Sequence, residues 1–217
     1  MDKERKLVLT RHLATQFNRD GKLMGRTIDL PIIKDLQVQI FTQNLDRLVK
    51  DYDINPQKTV IISSPLQRCK ETAEIIKSTL EIPSPILIFD LITETDLGDF
   101  TGYKSSSLRN KFNGLVDQWM HNPSTFQFPN GESYEEVKTR VTKFLDSIQN
   151  VPNIATISNI FICTHVDFIK MLLLTIQNKS FDERRSFDIK NGSFSVITTG
   201  ANSDQSVKYK ILSTNFR

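Results

Sequence analysis

The sequence predicts a three-layer α/β/α sandwich built on a mainly parallel β-sheet, with an antiparallel hairpin at one edge. Short, continuously apolar runs alternate along the chain with segments whose apolar residues recur at helical spacing. Such runs are typical of strands buried on both faces, and their alternation with helices is typical of a parallel sheet covered on both sides. Two further strand-like runs late in the chain, joined by a short polar turn, predict the hairpin.

The composition is that of a soluble globular protein. Of the 217 residues, 38 % are hydrophobic and 24 % are charged, which excludes a disordered chain. The net charge of +3 is too small, and the basic residues too dispersed, to indicate a nucleic-acid partner. The length allows one sizeable domain. We predict a single domain over residues 1–217, with an insertion at about 101–130.

The sequence contains no pattern that indicates export or membrane insertion. The first six residues include no apolar signal segment, and the longest apolar stretch, 160–176, is broken by three polar residues. Cys69 and Cys163 are too few for a disulfide framework and form no CxxC pair, so we interpret both as small buried residues. We therefore expect a cytoplasmic protein with no membrane partner.

The first half of the chain is predicted to alternate strands with helices. Apolar residues recur at helical spacing between about 33 and 53, which predicts the first long helix. Ser64 suits an N-cap and Pro65 a first helical position, so we expect the second helix to begin there and to end near Leu80. Three apolar runs predict the strands: 7–9, 60–62 and 86–89.

The second half begins with an irregular stretch, 93–130, that is interrupted by glycines and prolines. Ser133 and Glu136 then form a capping box, which predicts the start of an amphipathic helix. A further helix is expected at about 167–177. Three strands complete the sheet: 160–163, 193–198 and 207–212, the last two joined by a turn at 200–203.

Polar side chains follow each of the four strand-like runs that alternate with helices. The carboxyl ends of parallel strands share one edge of a sheet, so these side chains should converge there. Arginine binds a phosphoryl group bidentately, a neutral imidazole can attack phosphorus, and a carboxylic acid can protonate the leaving oxygen. The sequence has no glycine-rich loop with Lys-Ser/Thr and no HExxH, which disfavours a nucleotide triphosphatase and metal-assisted hydrolysis. The residues concerned are Arg11, His12, Arg68, Glu94 and His165.

Five motifs occur in a recognisable order along the chain. They are Arg11-His12-x-x-Thr15-x-x-Asn18, Ser63-Ser64-Pro65-Leu66-Gln67-Arg68, Leu91-x-x-Glu94-x-x-Leu97-Gly98, Pro129-Asn130-Gly131-Glu132-Ser133 followed by Arg140, and His165 after a strand. Together they resemble the histidine phosphatase superfamily, the phosphoglycerate mutase-like proteins, and the stretch 119–133 resembles its phosphatase branch. The resemblance covers residues 7–165 and implies a phosphoglycerate mutase-like fold.

The resemblance implies a role for each matching residue. By analogy, His12 is the phosphorylated nucleophile, Arg11, Arg68 and His165 hold the phosphoryl group, and Glu94 is the proton donor. The implied substrate is a small phosphorylated metabolite, with no cofactor and no metal, and a homodimer is left open. Asn18 and Thr15 match positions that line the family's pocket, and the backbone at Gly25 corresponds to a point where the substrate approaches.

Two positions depart from the family, which usually has glycine after each histidine. Leu13 follows the first histidine and is expected to narrow the pocket or to shift the backbone. Val166 and Asp167 follow the second, and a carboxylate that faced the phosphate would repel it. Both departures favour restricted substrates or weaker catalysis.

Two alternatives to a metal-independent phosphatase stay open. A phosphoglycerate mutase-type phosphotransferase would need extra cations for a second acidic group, and the insertion offers only Lys104, Arg109 and Lys111. A catalytically weak relative that binds a phosphorylated ligand is the other alternative, and Leu13 and Asp167 motivate it.

Several conspicuous residues are predicted to be structural. His121 is expected to be exposed, and Arg184 and Arg185 to be a surface pair. Glu132 is interpreted as part of a helix start. The aromatic residues of the insertion are expected to pack over the sheet and not to form a lid over the substrate.

Overall fold

A computed structural model describes residues 4–201 and 207–217 and places six strands in one sheet. The strands are β1 (Arg5–Arg11), β2 (Thr59–Ser63), β3 (Ile86–Ile88), β4 (Asn159–Thr164), β5 (Phe194–Ala201) and β6 (Val207–Phe216). The helices are α1 (Gln16–Arg19), α2 (Leu36–Asp51), α3 (Gln67–Thr79), α4 (Leu108–Lys111), α5 (Leu115–His121), α6 (Tyr134–Ser147) and α7 (Val166–Thr175). Short 3₁₀ turns join many of them.

The strand order across the sheet is β3-β2-β4-β1-β5-β6. β1 pairs with β4 in parallel, and β2 pairs in parallel with both β3 and β4. β5 runs antiparallel to both β1 and β6. The mainly parallel sheet with an antiparallel edge hairpin is therefore confirmed. Of the turn predicted at 200–203, residues 202 and 203 lie outside the described residues.

Helices begin where the sequence provides caps for their free N–H groups. The Asp35 side chain accepts a hydrogen bond from the Gln37 amide at the start of α2. Ser133 and Glu136 form the predicted capping box at the start of α6. Within the described residues, no helix combines the length and the apolar character needed to cross a membrane.

The predicted start of the second helix is wrong. α3 begins at Gln67, with Leu66 in extended conformation at the N-cap, so Pro65 precedes the helix. The Ser64 hydroxyl lies 2.9 Å from His165 Nε2. This side chain contacts the neighbouring strand end and does not cap α3.

Two hydrophobic clusters cover the two faces of the sheet, as a three-layer sandwich requires. One packs α6, α7 and the 101–130 segment against one face, with Phe100 and Phe128 buried and in edge-to-face contact. The other packs α2 and α3 against the opposite face, around Phe41. β1 contributes to both clusters, with Leu9 on the first side and Val8 on the second. The strand is therefore buried on both faces, and both clusters pack against it.

Candidate active site

A cavity of about 360 Å³ opens beside the carboxyl ends of the parallel strands. The fold brings all five predicted catalytic residues to this edge. Arg11, His12, Arg68 and Glu94 line the cavity, and the His165 ring lies 5.3 Å from the His12 ring, centroid to centroid. The predicted convergence at one edge of the sheet is what the structure shows.

His12 is buried, and the backbone of the next residue orients its ring. Its Nδ1 lies 2.7 Å from the Leu13 carbonyl oxygen. Because a carbonyl oxygen only accepts, Nδ1 must donate this hydrogen bond, which leaves Nε2 as the nitrogen with a free lone pair. Burial, and then the positive charges of Arg68 and Arg11, hold the pKa of His12 well below its usual range. The imidazole is therefore neutral near pH 7.

The two arginines are fixed by backbone carbonyls. Arg11 donates to the Ile189 carbonyl at 2.6 Å, and the buried Arg68 donates to the Gly25 carbonyl at 2.8 Å and the Ile28 carbonyl at 3.1 Å. Within the described part of the chain, the Nε atoms of Arg11 and Arg68 are both buried without a hydrogen-bond partner. An unpaired buried donor is costly, so these guanidinium groups are suited to an anion in the cavity.

Gly25 lies on the cavity wall, where the resemblance places it. Its backbone has a φ of +56°, and a Cβ atom there would lie 3.2 Å from backbone atoms of Thr95 and Leu97. Glycine at position 25 thus allows the backbone there to approach the Glu94 loop closely. The Gly25 carbonyl also accepts a hydrogen bond from Arg68.

The resemblance places both Asn18 and Thr15 in the pocket, but the structure places only one of the two there. Asn18 lines the cavity, whereas Thr15 does not. Thr15 is buried as the N-cap of α1, where it and Asn18 form a reciprocal capping box. The prediction that Thr15 lines the pocket is therefore wrong: this residue positions Asn18 instead.

Glu94 lies in the loop that follows β3, with its Oε1 accepting a hydrogen bond from the Thr95 amide at 3.0 Å. The residue is buried, and burial, followed by the nearby charge of Asp167, raises the pKa of the Glu94 carboxyl to about 7. A carboxyl group with this pKa is protonated in about half of the molecules at neutral pH, so it can both give up and take up a proton there. It can therefore act first as an acid and then as a base.

An arginine on α6 holds the Glu94 loop in place. Arg140 donates to the Leu91 carbonyl at 2.6 Å and to the Thr93 carbonyl at 3.0 Å, and pairs with Glu132 through two hydrogen bonds of 2.7 and 2.9 Å. Burial opposes ionisation of Glu132, but its contacts with Arg140 and then Arg26 leave its pKa below the usual range. The reading of Glu132 as only a helix start is therefore incomplete. The Glu132–Arg140 spacing in the fourth motif could have indicated the pair.

His165 lies behind the cavity, at the N-cap of α7. Its Nε2 is 2.9 Å from Ser64 Oγ and 3.3 Å from Cys69 Sγ. Burial, followed by the charges of Arg68 and His12, holds its pKa well below the usual range. Cys69 and Cys163 are buried free thiols, as predicted, although the contact between Cys69 and His165 was not foreseen.

The prediction that Leu13 narrows the pocket is wrong. Its side chain is buried in the cluster around Phe41 and packs beside Gly192, on the far side of the strand end from the cavity. Its amide donates to the Thr72 hydroxyl at 3.0 Å. A larger residue than glycine is thus accommodated by the core and leaves the cavity unobstructed.

Asp167 and Val166 do line the cavity. Asp167 is buried, and its Oδ2 accepts a hydrogen bond from the Tyr134 hydroxyl at 3.1 Å. Burial raises the pKa of its carboxyl above the usual range. A second acidic group therefore shares the site with Glu94.

The interpretation of Arg184 and Arg185 as a surface pair is right for Arg185, which is exposed, and wrong for Arg184. Arg184 is only 8 % exposed and donates to the Trp119 carbonyl at 2.8 Å, and both arginines line the cavity. Lys22 and Lys170 line it as well. Trp119 also borders the cavity, whereas the other aromatic residues of the insertion pack in the core, as predicted. His121 is exposed, as predicted.

No cluster of metal-ligating side chains accompanies this site. Across residues 4–201 and 207–217, no three His, Cys, Asp or Glu side chains are grouped so that they could hold a metal ion. The titratable groups at the edge of the sheet are instead arranged around two arginines. The arrangement is suited to binding an anion and to moving a proton beside it.

Comparison with known proteins identifies the family. Residues 7–211 match the sequence profile of the histidine phosphatase superfamily, branch 1. The chain is 33 % identical to fructose-2,6-bisphosphatase TIGAR B of Danio rerio over 65 % of its length, and it spans about half (52 %) of that relative. It is 26 % identical to a 2,3-bisphosphoglycerate-dependent phosphoglycerate mutase of Bartonella henselae over 97 % of this chain and 99 % of the relative.

Solved structures agree on the fold. A mycobacterial glucosyl-3-phosphoglycerate phosphatase superposes with a TM-score of 0.80 at 20 % identity, covering 99 % of this chain and 100 % of the other. At this identity the likeness concerns the fold alone. The family match over nearly the whole chain is decisive: the protein belongs to branch 1 of the histidine phosphatase superfamily and is an enzyme of the phosphatase type.

Proposed function

We propose that the protein is a metal-independent phosphomonoesterase that reacts through a phosphohistidine on His12. The observation that carries the proposal is the state of this side chain. Its imidazole is neutral, its Nδ1 is occupied by the Leu13 carbonyl, and two arginines with unpaired buried donors stand on the same cavity wall. A nucleophilic nitrogen is thus placed beside a binding site for a phosphoryl group.

The first step transfers the phosphoryl group to the enzyme. His12 Nε2 attacks phosphorus, a phosphorus–nitrogen bond forms, and the phosphorus–oxygen bond to the alcohol breaks. Glu94 gives its proton to the departing oxygen, so the alcohol leaves neutral. Arg11 and Arg68 bind the phosphoryl oxygens and stabilise the charge that they carry in the transition state, while His165 supports the site from behind the cavity.

The second step returns the enzyme to its starting state. Glu94, now a carboxylate, takes a proton from a water molecule, whose oxygen attacks phosphorus. The phosphorus–nitrogen bond breaks, inorganic phosphate is released, and both His12 and Glu94 regain their original protonation. A carboxyl pKa of about 7 suits this alternation between acid and base.

Hydrolysis of an aryl phosphate in the presence of EDTA tests the proposal. We expect activity that survives chelation and is lost by at least roughly a thousandfold in His12→Ala. His121→Ala is the matched control, since His121 is exposed on α5 and should keep full activity. Acid-labile labelling of the wild-type enzyme, absent from His12→Ala, would identify the intermediate. Substantial turnover by His12→Ala would disprove the assignment of the nucleophile.

A mutase-type phosphotransferase is the second candidate, and one observation favours it. The sequence offered only Lys104, Arg109 and Lys111 of the insertion as cations for a second acidic group. The structure instead places Lys22, Lys170, Arg184 and Arg185 on the cavity wall, beyond the two phosphate-binding arginines. Four additional cations suit a substrate that carries a carboxylate or a second phosphate. Incubation with a phosphoglycerate separates the candidates: a mutase moves the phosphoryl group to the other hydroxyl, whereas a phosphatase releases free phosphate.

The third alternative, a relative that binds phosphorylated ligands without turning them over, has its own signature. It would bind phosphoesters from a broad panel but release no phosphate from any of them. The motive for this alternative is weakened, because Leu13 lies away from the cavity.

A further inference from the structure

Asp167 is a buried cavity group to which the proposed reaction gives no role. It lies in the first turn of α7 and lines the same cavity as Glu94. The Tyr134 hydroxyl, on α6, donates to its Oδ2 at 3.1 Å. That hydroxyl accepts a hydrogen bond from Trp119 Nε1 at 3.0 Å, so its own hydrogen is directed to Asp167. Two residues from separate helices thus hold this carboxylate in place, Tyr134 directly and Trp119 through Tyr134.

The two carboxyl groups cannot both ionise at low cost, since both are buried in one cavity. Asp167 has the surroundings that favour the charged form, because it receives the Tyr134 hydrogen bond and is near Lys170. Among the residues that the structure describes, Glu94 accepts a hydrogen bond only from the Thr95 amide. The other charged groups that act on the pair are Arg11 from β1, Arg68 from α3 and Arg184 from the segment Phe181–Ser186.

We propose that Asp167 is a positioning residue for the acid: its carboxylate, held by Tyr134, keeps the proton on Glu94 until the leaving oxygen takes it. The inference rests on the proposed function, because it presupposes that Glu94 donates a proton. It also explains why this chain tolerates a carboxyl group beside a phosphate site. The negative charge of Asp167 is offset by Lys170 and Arg184, and its effect is directed at Glu94.

The profile of kcat/KM against pH for phenyl phosphate, compared between the wild type and Asp167→Asn, tests the inference. Asn keeps the shape and the oxygen acceptor but removes the negative charge, so Glu94 should lose its proton at lower pH. We expect the basic limb to move down by roughly 0.5 to 1 pH unit. The acidic limb, which reports His12, should stay in place, because the charges that act on His12 come from Arg68 and Arg11. Asp46→Asn, an exposed carboxylate on α2, is the control and should move neither limb.

The leaving group provides an independent readout. 4-Nitrophenolate departs without protonation, so above pH 7 Asp167→Asn should lose more activity with phenyl phosphate than with 4-nitrophenyl phosphate. Tyr134→Phe removes only the hydroxyl that holds Asp167. We expect Tyr134→Phe to shift the basic limb in the same direction by a smaller amount. This variant replaces Asp167→Asn as the test if Asp167→Asn does not fold.

The outcomes are distinct. If Asp167→Asn lowers kcat/KM by the same factor at every pH and leaves both limbs of the profile in place, Asp167 has only a structural role and the inference is wrong. The same holds if the variant loses equal activity with phenyl phosphate and with 4-nitrophenyl phosphate. No hydrolysis by the wild-type enzyme would instead contradict the proposed function itself.

Discussion

At the scale of single residues, the site depends on protonation states that burial sets in opposite directions. His12 is held neutral, because removal from water and the neighbouring arginines disfavour its charged form. Glu94 keeps its proton up to about pH 7, because burial disfavours its carboxylate and raises its pKa. In the proposed mechanism, the same physical cause prepares the nucleophile and the acid within one cavity.

These states predict a bell-shaped dependence of kcat/KM on pH. Activity requires neutral His12 and protonated Glu94, so it should fall above the Glu94 pKa of about 7 and fall again below the depressed His12 pKa. The maximum should therefore lie on the acidic side of neutrality. Initial rates in buffers of constant ionic strength would show it, and a profile that still rises above pH 8 would contradict the assignment of Glu94.

The sequence alone predicted where some of these residues lie and failed to predict others. Arg11, His12, Arg68, Glu94 and His165 were predictable, because each follows a strand whose carboxyl end had to reach the same edge. The position of Leu13 was not, because the side of a strand end that a residue faces depends on packing against α2. Arg184 was missed because its partner, the Trp119 carbonyl, lies 65 positions earlier in the chain.

At the scale of elements, the Glu94 loop packs tightly against the turn that precedes α6. Gly98 has a φ of +48°, and a Cβ atom there would lie 2.0 Å from the Pro129 carbonyl oxygen. The Asp99 amide donates to that same carbonyl at 2.9 Å. The two segments, separated in sequence by the insertion, therefore approach as closely as backbones can.

Gly98→Ala is expected to destabilise the protein strongly and to reduce activity through the displaced Glu94 loop. Gly21→Ala is the matched control, since Gly21 also has a positive φ, of +67°, but has open space where its Cβ would lie. Both variants carry the cost of backbone strain, so the difference between them isolates the clash. We expect Gly98→Ala to lose about 2 kcal/mol or more beyond the control, measured by urea unfolding. Equal unfolding free energies for the two variants would show that the two segments can separate without cost.

At the scale of the whole molecule, the cavity is assembled from segments distributed over most of the chain. β1 supplies Arg11, α3 supplies Arg68, α7 supplies Asp167, and the 3₁₀ segment that follows supplies Arg184. The sequence predicted the sheet and its layers well, because alternating strands and helices permit few arrangements. It could not predict the far wall of the cavity, which depends on how irregular segments fold over the sheet.

A ligand that contacts all these segments should stabilise the folded state as a whole. We expect vanadate or inorganic phosphate at about 100 times its Kd to add about 2.7 kcal/mol, which corresponds to a rise in Tm of roughly 5 to 10 °C. The same anion should raise the Tm of the Arg68→Met variant much less, measured from the Tm of that variant without ligand. An equal rise in both proteins would place the anion outside this cavity. Thermal scans followed by circular dichroism would measure both.

The central position of β1 also has a consequence for biosynthesis. Its strand partners are β4 and β5, so a nascent chain carries Arg11 and His12 without a neighbouring strand for roughly 150 residues, or about 8 to 30 s of translation. Until β4 emerges from the ribosome, His12 lacks the neighbouring imidazole of His165, and the proposed anion site lacks the residues on its opposite side. Affinity for phosphate should therefore appear abruptly and late during synthesis, once His165 has left the exit tunnel.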